Sequence, residues 1–161
     1  DISKLEGDDW MPTSEQIAGD NNAKYPINQY GPYHFGFFAA ITVEVNNVII
    51  DLCGYTISQS PEHYLQQRFF SIIETASSPF ITSQGPGEFG QNVKSSSWIK
   101  VKNGNLGLSS HSSIHGNNNV NIILEDLYLY DWEQAGIGLN GSENLIIRNV
   151  TIDRNHHNVP V

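Results

Sequence analysis

The stretch Asn121-Ile-Ile-Leu-Glu-Asp-Leu-Tyr-Leu-Tyr130 has a second copy in Asn144-Leu-Ile-Ile-Arg-Asn-Val-Thr-Ile-Asp153. An earlier copy starts at Ile99-Lys-Val101, so the first apolar segments of the three copies begin 23 residues apart. Each copy holds three short apolar segments, and polar turns rich in Asn, Gly and Ser separate them. A fixed period of this length indicates a chain that repeats one structural unit along an axis.

Three short strands per repeat predict an all-β fold, a right-handed parallel β-helix of about four rungs with ~23 residues each. Each strand then pairs with its equivalent one rung away, at a spacing of ~4.8 Å. Asn and Gly tolerate the left-handed backbone that sharp corners need. Asn117 and Asn140 fall at one such corner, and we predict that their amides stack as a ladder. The Leu-x-x-Leu-x-Leu frame of a leucine-rich repeat is missing, and antiparallel hairpin signals are sparse.

The whole chain is predicted to form a single domain, because 161 residues suit one core. A short helix is predicted from about Pro61 to Gln67, with a proline at its first turn. The single cysteine, Cys53, is interpreted as a small core residue. The chain stops within a rung, so we expect it to be incomplete at its C-terminus. The predicted parts are an irregular N-terminal cover segment (1–40), a first rung (41–57), an insertion (58–97) and the repeating rungs (98–161).

The net charge and the absence of a long apolar run exclude some classes of binding partner. The net charge is −9, with only 8 Lys and Arg residues, whereas nucleic-acid binders need a basic surface to displace counterions from phosphates. We therefore predict no nucleic-acid partner. The chain has no apolar run of 18 residues, so no membrane span is predicted either. Neither a bound metal nor a cofactor is predicted.

Two segments resemble the rungs of pectate-lyase-like β-helix proteins: Asn47-Val-Ile-Ile-Asp-Leu-Cys-Gly-Tyr-Thr-Ile57 and Asn144-Leu-Ile-Ile-Arg-Asn-Val-Thr-Ile152. The blocks 111–119 and 135–140 also resemble uncharacterised β-helix proteins of large DNA viruses and aquatic microbes. The resemblance implies the right-handed parallel β-helix. It implies no single activity, since that superfamily holds lyases, hydrolases, epimerases, tailspikes and structural proteins. The polygalacturonase-like motif set is incomplete, because Asp8-Asp9 is the only Asp-Asp pair and lies outside the rungs.

The turns after the second strand of each rung contain the candidate catalytic residues. His111, Glu133 and His156 are 22 and 23 residues apart, so they could line up on one edge of the coil. Two imidazoles beside a carboxylate suit general acid–base chemistry, or they could hold a metal ion. The alternative is that these polar turn residues are merely solvated. The supporting candidates beside them are Asp131, Arg154 and His157.

Tyr128, Tyr130 and Trp132 alternate along one strand and are the candidate glycan-binding residues. Aromatic faces suit the C–H-rich faces of sugar rings. The alternative is that they pack under the 58–97 insertion. A second pattern, Lys102, Glu125 and Arg148, is interpreted as a surface ladder of alternating charge.

Two hypotheses for function follow. The first is a non-catalytic β-helix module, structural or glycan-binding, in an extracellular or virion-surface assembly, where it associates with itself or with neighbouring chains. The second is a polysaccharide lyase or glycoside hydrolase that acts on acidic glycans. The triplets Asn140-Gly-Ser142 and Asn149-Val-Thr151 are candidate N-glycosylation sites.

Overall fold

The computed structural model describes residues 38–64, 70–76 and 95–153, which all belong to one compact unit, Phe38–Val161. This part of the chain is all-β apart from one helical turn. The elements are β1 (Phe38–Thr42), β2 (Val48–Asp51), β3 (Thr56–Ser58), α1 (Pro61–Tyr64), β4 (Phe70–Glu74), β5 (Ser97–Ser109), β6 (Ser112–Asn117), β7 (Val120–Trp132), β8 (Ala135–Asn140) and β9 (Glu143–Asp153).

The strands form two parallel sheets. Sheet A has the order β1-β4-β6-β8, and sheet B has the order β2-β5-β7-β9. The short strand β3 follows β2 end to end along the same edge of β5. From β4 onward the chain alternates between the sheets, so neighbours within a sheet come from successive passes. Parallel neighbours need such a crossover between them.

The 23-residue period of the sequence is the pairing register of the strands. Ile99 pairs with Ile122, and Ile122 pairs with Leu145, along sheet B. Ile114 and Ile137 keep the same offset in sheet A. The first two apolar segments of each copy are joined in one long strand of 13 residues in β5 and in β7.

Left-handed backbone recurs at the same offset and bends the long strands. Asn103, Asp126 and Asn149 have φ of 60°, 53° and 50°. Asn118 and Gly141 share another corner, with φ of 55° and 61°. Asn, Asp and Gly enter this region at the lowest cost, which is why these residue types separate the apolar segments.

The core lies between the sheets and is built from alternate residues. Ile99, Ile122 and Leu124 are 0–1% exposed, and Leu129 is fully buried. Alternation along a strand sends the intervening residues to the outer face. Stacking of apolar side chains from β5 and β7 removes them from water, which contributes ~25 cal/mol per Å² of apolar area buried.

The predicted amide ladder is confirmed. Asn140 Nδ2 donates to Asn117 Oδ1 at 3.1 Å. A second amide ladder is present at another corner, where Asn144 Nδ2 donates to Asn121 Oδ1 at 3.1 Å. Each ladder links the side chains of successive sequence repeats at a corner of the chain.

A buried hydrogen-bond network around Asn119 joins three segments. Asn119 is fully buried, and its Nδ2 donates to the carbonyl oxygens of Thr75 and Ser96 at 2.9 and 2.8 Å. Its Oδ1 accepts from Thr75 Oγ1 at 3.0 Å. An antiparallel bridge between Ala76 and Ser95 lies beside this network. Asn119 therefore holds together the two ends of the connection from residue 76 to residue 95.

Some sequence-based predictions need correction. Cys53 is exposed, not in the core, because it takes a left-handed corner with φ of 51° that turns its side chain away from the sheet interior. β1 (Phe38–Thr42) begins within the range predicted as the N-terminal segment, and β4 (Phe70–Glu74) lies within the range predicted as the insertion and pairs in sheet A. The helical turn is present at Pro61–Tyr64, and residues 65–67 lie outside the described part.

Candidate functional site

The predicted catalytic turns are partly described. Gln134 N donates to His111 O at 2.7 Å, and Glu133 N donates to Ser109 O at 3.0 Å. The 23-residue register thus sets Gln134, not Glu133, level with His111, because the predicted spacing of 22 is one residue short. Asp131 is 3% exposed. The remaining candidates, Arg154, His156 and His157, lie outside the described residues.

His111 lies beside a buried acid–imidazole pair on sheet A. Glu74 Oε2 is 2.8 Å from His115 Nδ1, and the two residues are 5% and 4% exposed. The rings of His111 and His115 have centroids 5.3 Å apart. His111 Nδ1 is 3.4 Å from Ser71 Oγ. Parallel pairing of β4 with β6 aligns Glu74 with His115 and creates this cluster.

Burial determines how these groups hold protons. Burial raises the pKa of Glu74, and the hydrogen bond and charge of His115 oppose that rise. Burial also lowers the pKa of His111 to about 4, with the neighbouring His115 as a second cause. His111 is therefore a neutral imidazole at neutral pH. Glu74 Oε1 is buried without a hydrogen-bond partner among the described residues.

The described residues contain no group of three His, Cys, Asp or Glu side chains that could hold a metal ion. They also contain no helix long and apolar enough to cross a bilayer. The cluster of Glu74, His111 and His115 offers an imidazole and a buried carboxyl group; Glu74 and His115 are buried, and His111 is half-buried.

The three candidate glycan-binding aromatic residues, Tyr128, Tyr130 and Trp132, differ in burial. Tyr130 is 8% exposed and packs with Tyr64 of α1 and with Leu108. Tyr128 packs against the same cluster, and its ring stacks on Tyr130 with centroids 5.6 Å apart. Packing beneath the 58–97 range therefore accounts for Tyr130.

Tyr128 and Trp132 make further contacts outside this cluster. Tyr128 OH donates to Asp153 Oδ2 at 3.2 Å. Burial is the largest cause of the raised pKa of both Tyr128 and Tyr130. Trp132 is half-buried and lies close to Gly136, where a β-carbon would approach the indole nitrogen to 3.2 Å.

An open groove lies on the outer wall of sheet B and was not among the sequence candidates. Its volume is about 550 Å³. Ile49, Trp98 and Ile146 expose 67%, 62% and 50% of their surface there. The outward side chains of four neighbouring strands form its floor, because Ile49, Lys100, Ile123 and Ile146 pair in one row. Asn121 and Asn144 line its rim.

Trp98 occupies a corner at which the equivalent residues of the neighbouring strands are asparagines. Asn47, Asn121 and Asn144 have φ of 62°, 60° and 56° at this corner, and Trp98 has φ of 60°. A bulky residue in the left-handed region is an outlier. Such strain costs about 1–3 kcal/mol and concentrates at binding sites. The signal was visible in the sequence, because Trp98 precedes Ile99 as Asn121 precedes Ile122 and Asn144 precedes Leu145.

A row of alternating charge runs beside the groove. Asp51, Lys102, Glu125 and Arg148 are paired neighbours across sheet B, so the alignment predicted for Lys102, Glu125 and Arg148 is confirmed. Glu125 contacts both Arg148 and Lys100, and Lys102 Nζ lies 2.9 Å from Asp51 Oδ2.

The basic residues of this row lower the pKa of the Asp51 and Glu125 carboxyl groups and so keep both ionised. The hydrogen bond to Lys102 is the main cause that lowers the pKa of Asp51 to about 2. Hydrogen bonds to Lys100 and Arg148 lower the pKa of Glu125. Lys100 is the one ionisable side chain among the described residues that line the groove, and it is already paired with Glu125.

Both glycosylation candidates are exposed and bonded within the asparagine ladders. Asn140 Nδ2 donates to Asn117 Oδ1, and Asn149 Nδ2 donates to Asp126 Oδ1 at 2.6 Å. Each Nδ2 uses one of its two hydrogens in this hydrogen bond, which leaves the other hydrogen as the one that a glycan would replace. Both sites stay predictions.

No protein-family model, no curated protein and no solved structure matches this chain. The resemblance to pectate-lyase-like proteins therefore stays a prediction, and the functional argument depends on the site geometry.

Proposed function

We propose that this chain is a right-handed parallel β-helix module of the pectate-lyase-like type. It serves as a non-catalytic, glycan-binding and structural unit of an extracellular or virion-surface assembly. The two parallel sheets, the constant 23-residue register and the alternation of the chain between the sheets support the β-helix.

The groove around Trp98 carries the glycan-binding proposal. An exposed indole offers a flat face for the C–H-rich side of a sugar ring. The amides of Asn121 and Asn144 at the rim supply donors and acceptors for hydroxyl groups. A mixed lining of apolar floor and few polar groups is typical of ligand sites.

The charges favour a neutral glycan over an acidic one. Within the described part of the chain, Lys100 is the one cation that lines the groove, and Glu125 already engages it. The chain as a whole carries a net charge of −9, which repels polyanions over the Debye length. A neutral hexose chain meets neither penalty.

A polysaccharide lyase or hydrolase is the second candidate. The observation that favours it is His111, a half-buried imidazole that stays neutral at neutral pH and lies next to the pair of Glu74 and His115. A neutral imidazole can accept a proton, but a pKa of about 4 makes His111 a weak general base at neutral pH, which is one reason why this candidate is second.

Calorimetric titration with neutral and acidic oligosaccharides tests both candidates. Replacing Trp98 by Asn removes the indole but keeps the residue type that the other rungs use at this corner. We expect this variant to bind neutral oligosaccharides about tenfold more weakly, as about 1.4 kcal/mol of lost stacking implies. Tyr55→Ala is the matched control, because Tyr55 is 75% exposed and does not line the groove.

Two outcomes would overturn the glycan-binding proposal. One is the absence of binding to any neutral or acidic oligosaccharide by the unaltered chain. The other is equal weakening by Trp98→Asn and Tyr55→Ala. New ultraviolet absorbance from unsaturated sugar ends, lost in a His111→Gln variant, would establish the lyase instead.

A further inference from the structure

The asparagine ladder on sheet B is interrupted at Trp98. Asn144 Nδ2 donates to Asn121 Oδ1 at 3.1 Å, so this ladder donates from β9 towards β7. The next position of the same row is Trp98 on β5, because the residues on either side of Trp98 pair with those on either side of Asn121. An indole is a hydrogen-bond donor only. Trp98 therefore cannot accept the hydrogen bond that an asparagine at this position would accept from Asn121.

The amide of Asn121 consequently has a donor to spare. Its Oδ1 accepts from Asn144, and no acceptor for its Nδ2 is found in the part of the chain that the structure describes. Asn121 is half-buried and lines the groove beside Trp98. A ligand oxygen that reaches this Nδ2 gains a hydrogen bond without breaking one within the described residues.

The groove repeats its contact groups once for each strand. Trp98, Asn121 and Asn144 lie level with one another on β5, β7 and β9, and the floor row described above crosses the same strands. Neighbouring strands are ~4.8 Å apart. A linear ligand that crosses the strands therefore meets one rim group and one floor group at each step.

This repeat discriminates between kinds of linear glycan. In an extended β-1,4-linked chain of hexoses, each sugar advances by nearly one strand spacing, ~4.8 Å, and the rings form a flat ribbon. An α-1,4-linked chain coils, so its successive sugars leave a straight row of contacts. Because Glu125 already engages Lys100, the described lining favours neutral sugars over uronates.

We propose that the Trp98 groove binds an extended, neutral β-1,4-linked hexose chain that crosses the strands of sheet B, with one sugar for each strand. One ring stacks on the indole of Trp98. The sugar level with β7 accepts a hydrogen bond from Asn121 Nδ2. The inference rests on the glycan binding proposed above, and it specifies the linkage, the path of the chain and Asn121 as a second contact residue.

Calorimetric titration with matched oligosaccharides tests the linkage and the repeat. Cellobiose and cellotetraose share the β-1,4 linkage and differ in length, whereas maltotetraose has the length of cellotetraose and the α-1,4 linkage. We expect cellotetraose to bind about tenfold more tightly than either of the other two, because its additional sugars contact further strands.

Asn121→Asp tests the donor by itself. The aspartate keeps an oxygen that accepts from Asn144 Nδ2, and it suits a left-handed corner, as Asp126 does with φ of 53°. It lacks the N–H group, so we expect cellotetraose to bind about tenfold more weakly. Asn118→Asp is the matched control, since Asn118 occupies another left-handed corner, with φ of 55°, and does not line the groove. Circular dichroism checks that both variants keep their strand content.

The outcomes separate this inference from glycan binding itself. Equal affinities for cellotetraose, cellobiose and maltotetraose would overturn the extended β-linked chain and leave glycan binding standing. Unchanged binding of cellotetraose by Asn121→Asp, or equal weakening by Asn118→Asp, would overturn the role of the Asn121 donor. The absence of binding to every oligosaccharide would remove the proposed function, and this inference with it.

Discussion

On sheet A the ionisable side chains of Glu74 and His115 are 5% and 4% exposed, whereas on sheet B the indole of Trp98 is 62% exposed. The polar pair is enclosed and hydrogen-bonded, and the aromatic residue is strained and open to solvent. Burial of a charged group is tolerated only when a partner is present. An exposed aromatic in a costly backbone conformation has no stability reason to be there. The contrast favours a structural role for the first region and a binding role for the second.

Removing one partner of the buried pair gives the largest expected effect. His115→Ala leaves the Glu74 carboxyl group buried without its hydrogen bond, and we expect a loss of about 3–5 kcal/mol in the free energy of unfolding. Denaturant unfolding measures it. A double variant that replaces both residues by apolar ones, Glu74→Met with His115→Leu, should recover most of the loss. Equal stability of His115→Ala and the unaltered chain would contradict the structural role.

Asn119→Ala tests the neutral part of the same buried region. It removes three side-chain hydrogen bonds and leaves the Thr75 and Ser96 carbonyl groups without these donors, so we expect a cost of about 2–3 kcal/mol. Asn105→Ala is the control, since Asn105 makes a surface hydrogen bond to Thr56 and should cost under about 1 kcal/mol. Thermal unfolding of the two variants, measured side by side, shows whether Asn119→Ala loses more stability than Asn105→Ala.

The pH dependence of stability probes His111. Its folded pKa, about 4, lies below the ordinary 6.5, so the unfolded chain binds more protons between those values. Stability should therefore fall as pH drops from about 6.5 towards 4. The raised pKa of Glu74 acts in the opposite direction, since its contribution is lost as pH rises above 4.5. His111→Gln should flatten the decline between pH 6.5 and 4, and an unchanged profile would contradict this account.

Trp98→Asn should have the smallest effect on stability, and of the opposite sign. Asn tolerates the left-handed corner, and it restores the residue that Asn121 and Asn144 supply in neighbouring rungs. We expect a gain of about 1 kcal/mol in the free energy of unfolding, together with the loss of sugar affinity described above. A stability loss would mean that the indole packs as a structural residue, which would remove the contrast between the two sheets.

Much of the architecture was predictable from particular residues. The spacing of Ile99, Ile122 and Leu145 predicted the register, and Asn117 with Asn140 predicted the ladder. Trp98 was overlooked, although its place in the repeat marks it as the exception. The predicted alignment of His111 with Glu133 is wrong by one residue. It was based on the spacing of polar residues in the turns rather than on the paired positions in the strands.

The sequence by itself determined the period, the corners and the rows, because strand alternation and left-handed turns depend on neighbouring residues. Only the tertiary structure decided which rows are covered. Tyr130 is buried because Tyr64 packs on it from another part of the chain, and Cys53 is exposed because its corner turns outward. Burial of Glu74 with His115 likewise depends on β4 pairing with β6 across 41 residues. Local patterns specify which way a side chain faces in its strand, but exposure depends on which distant segment lies against it.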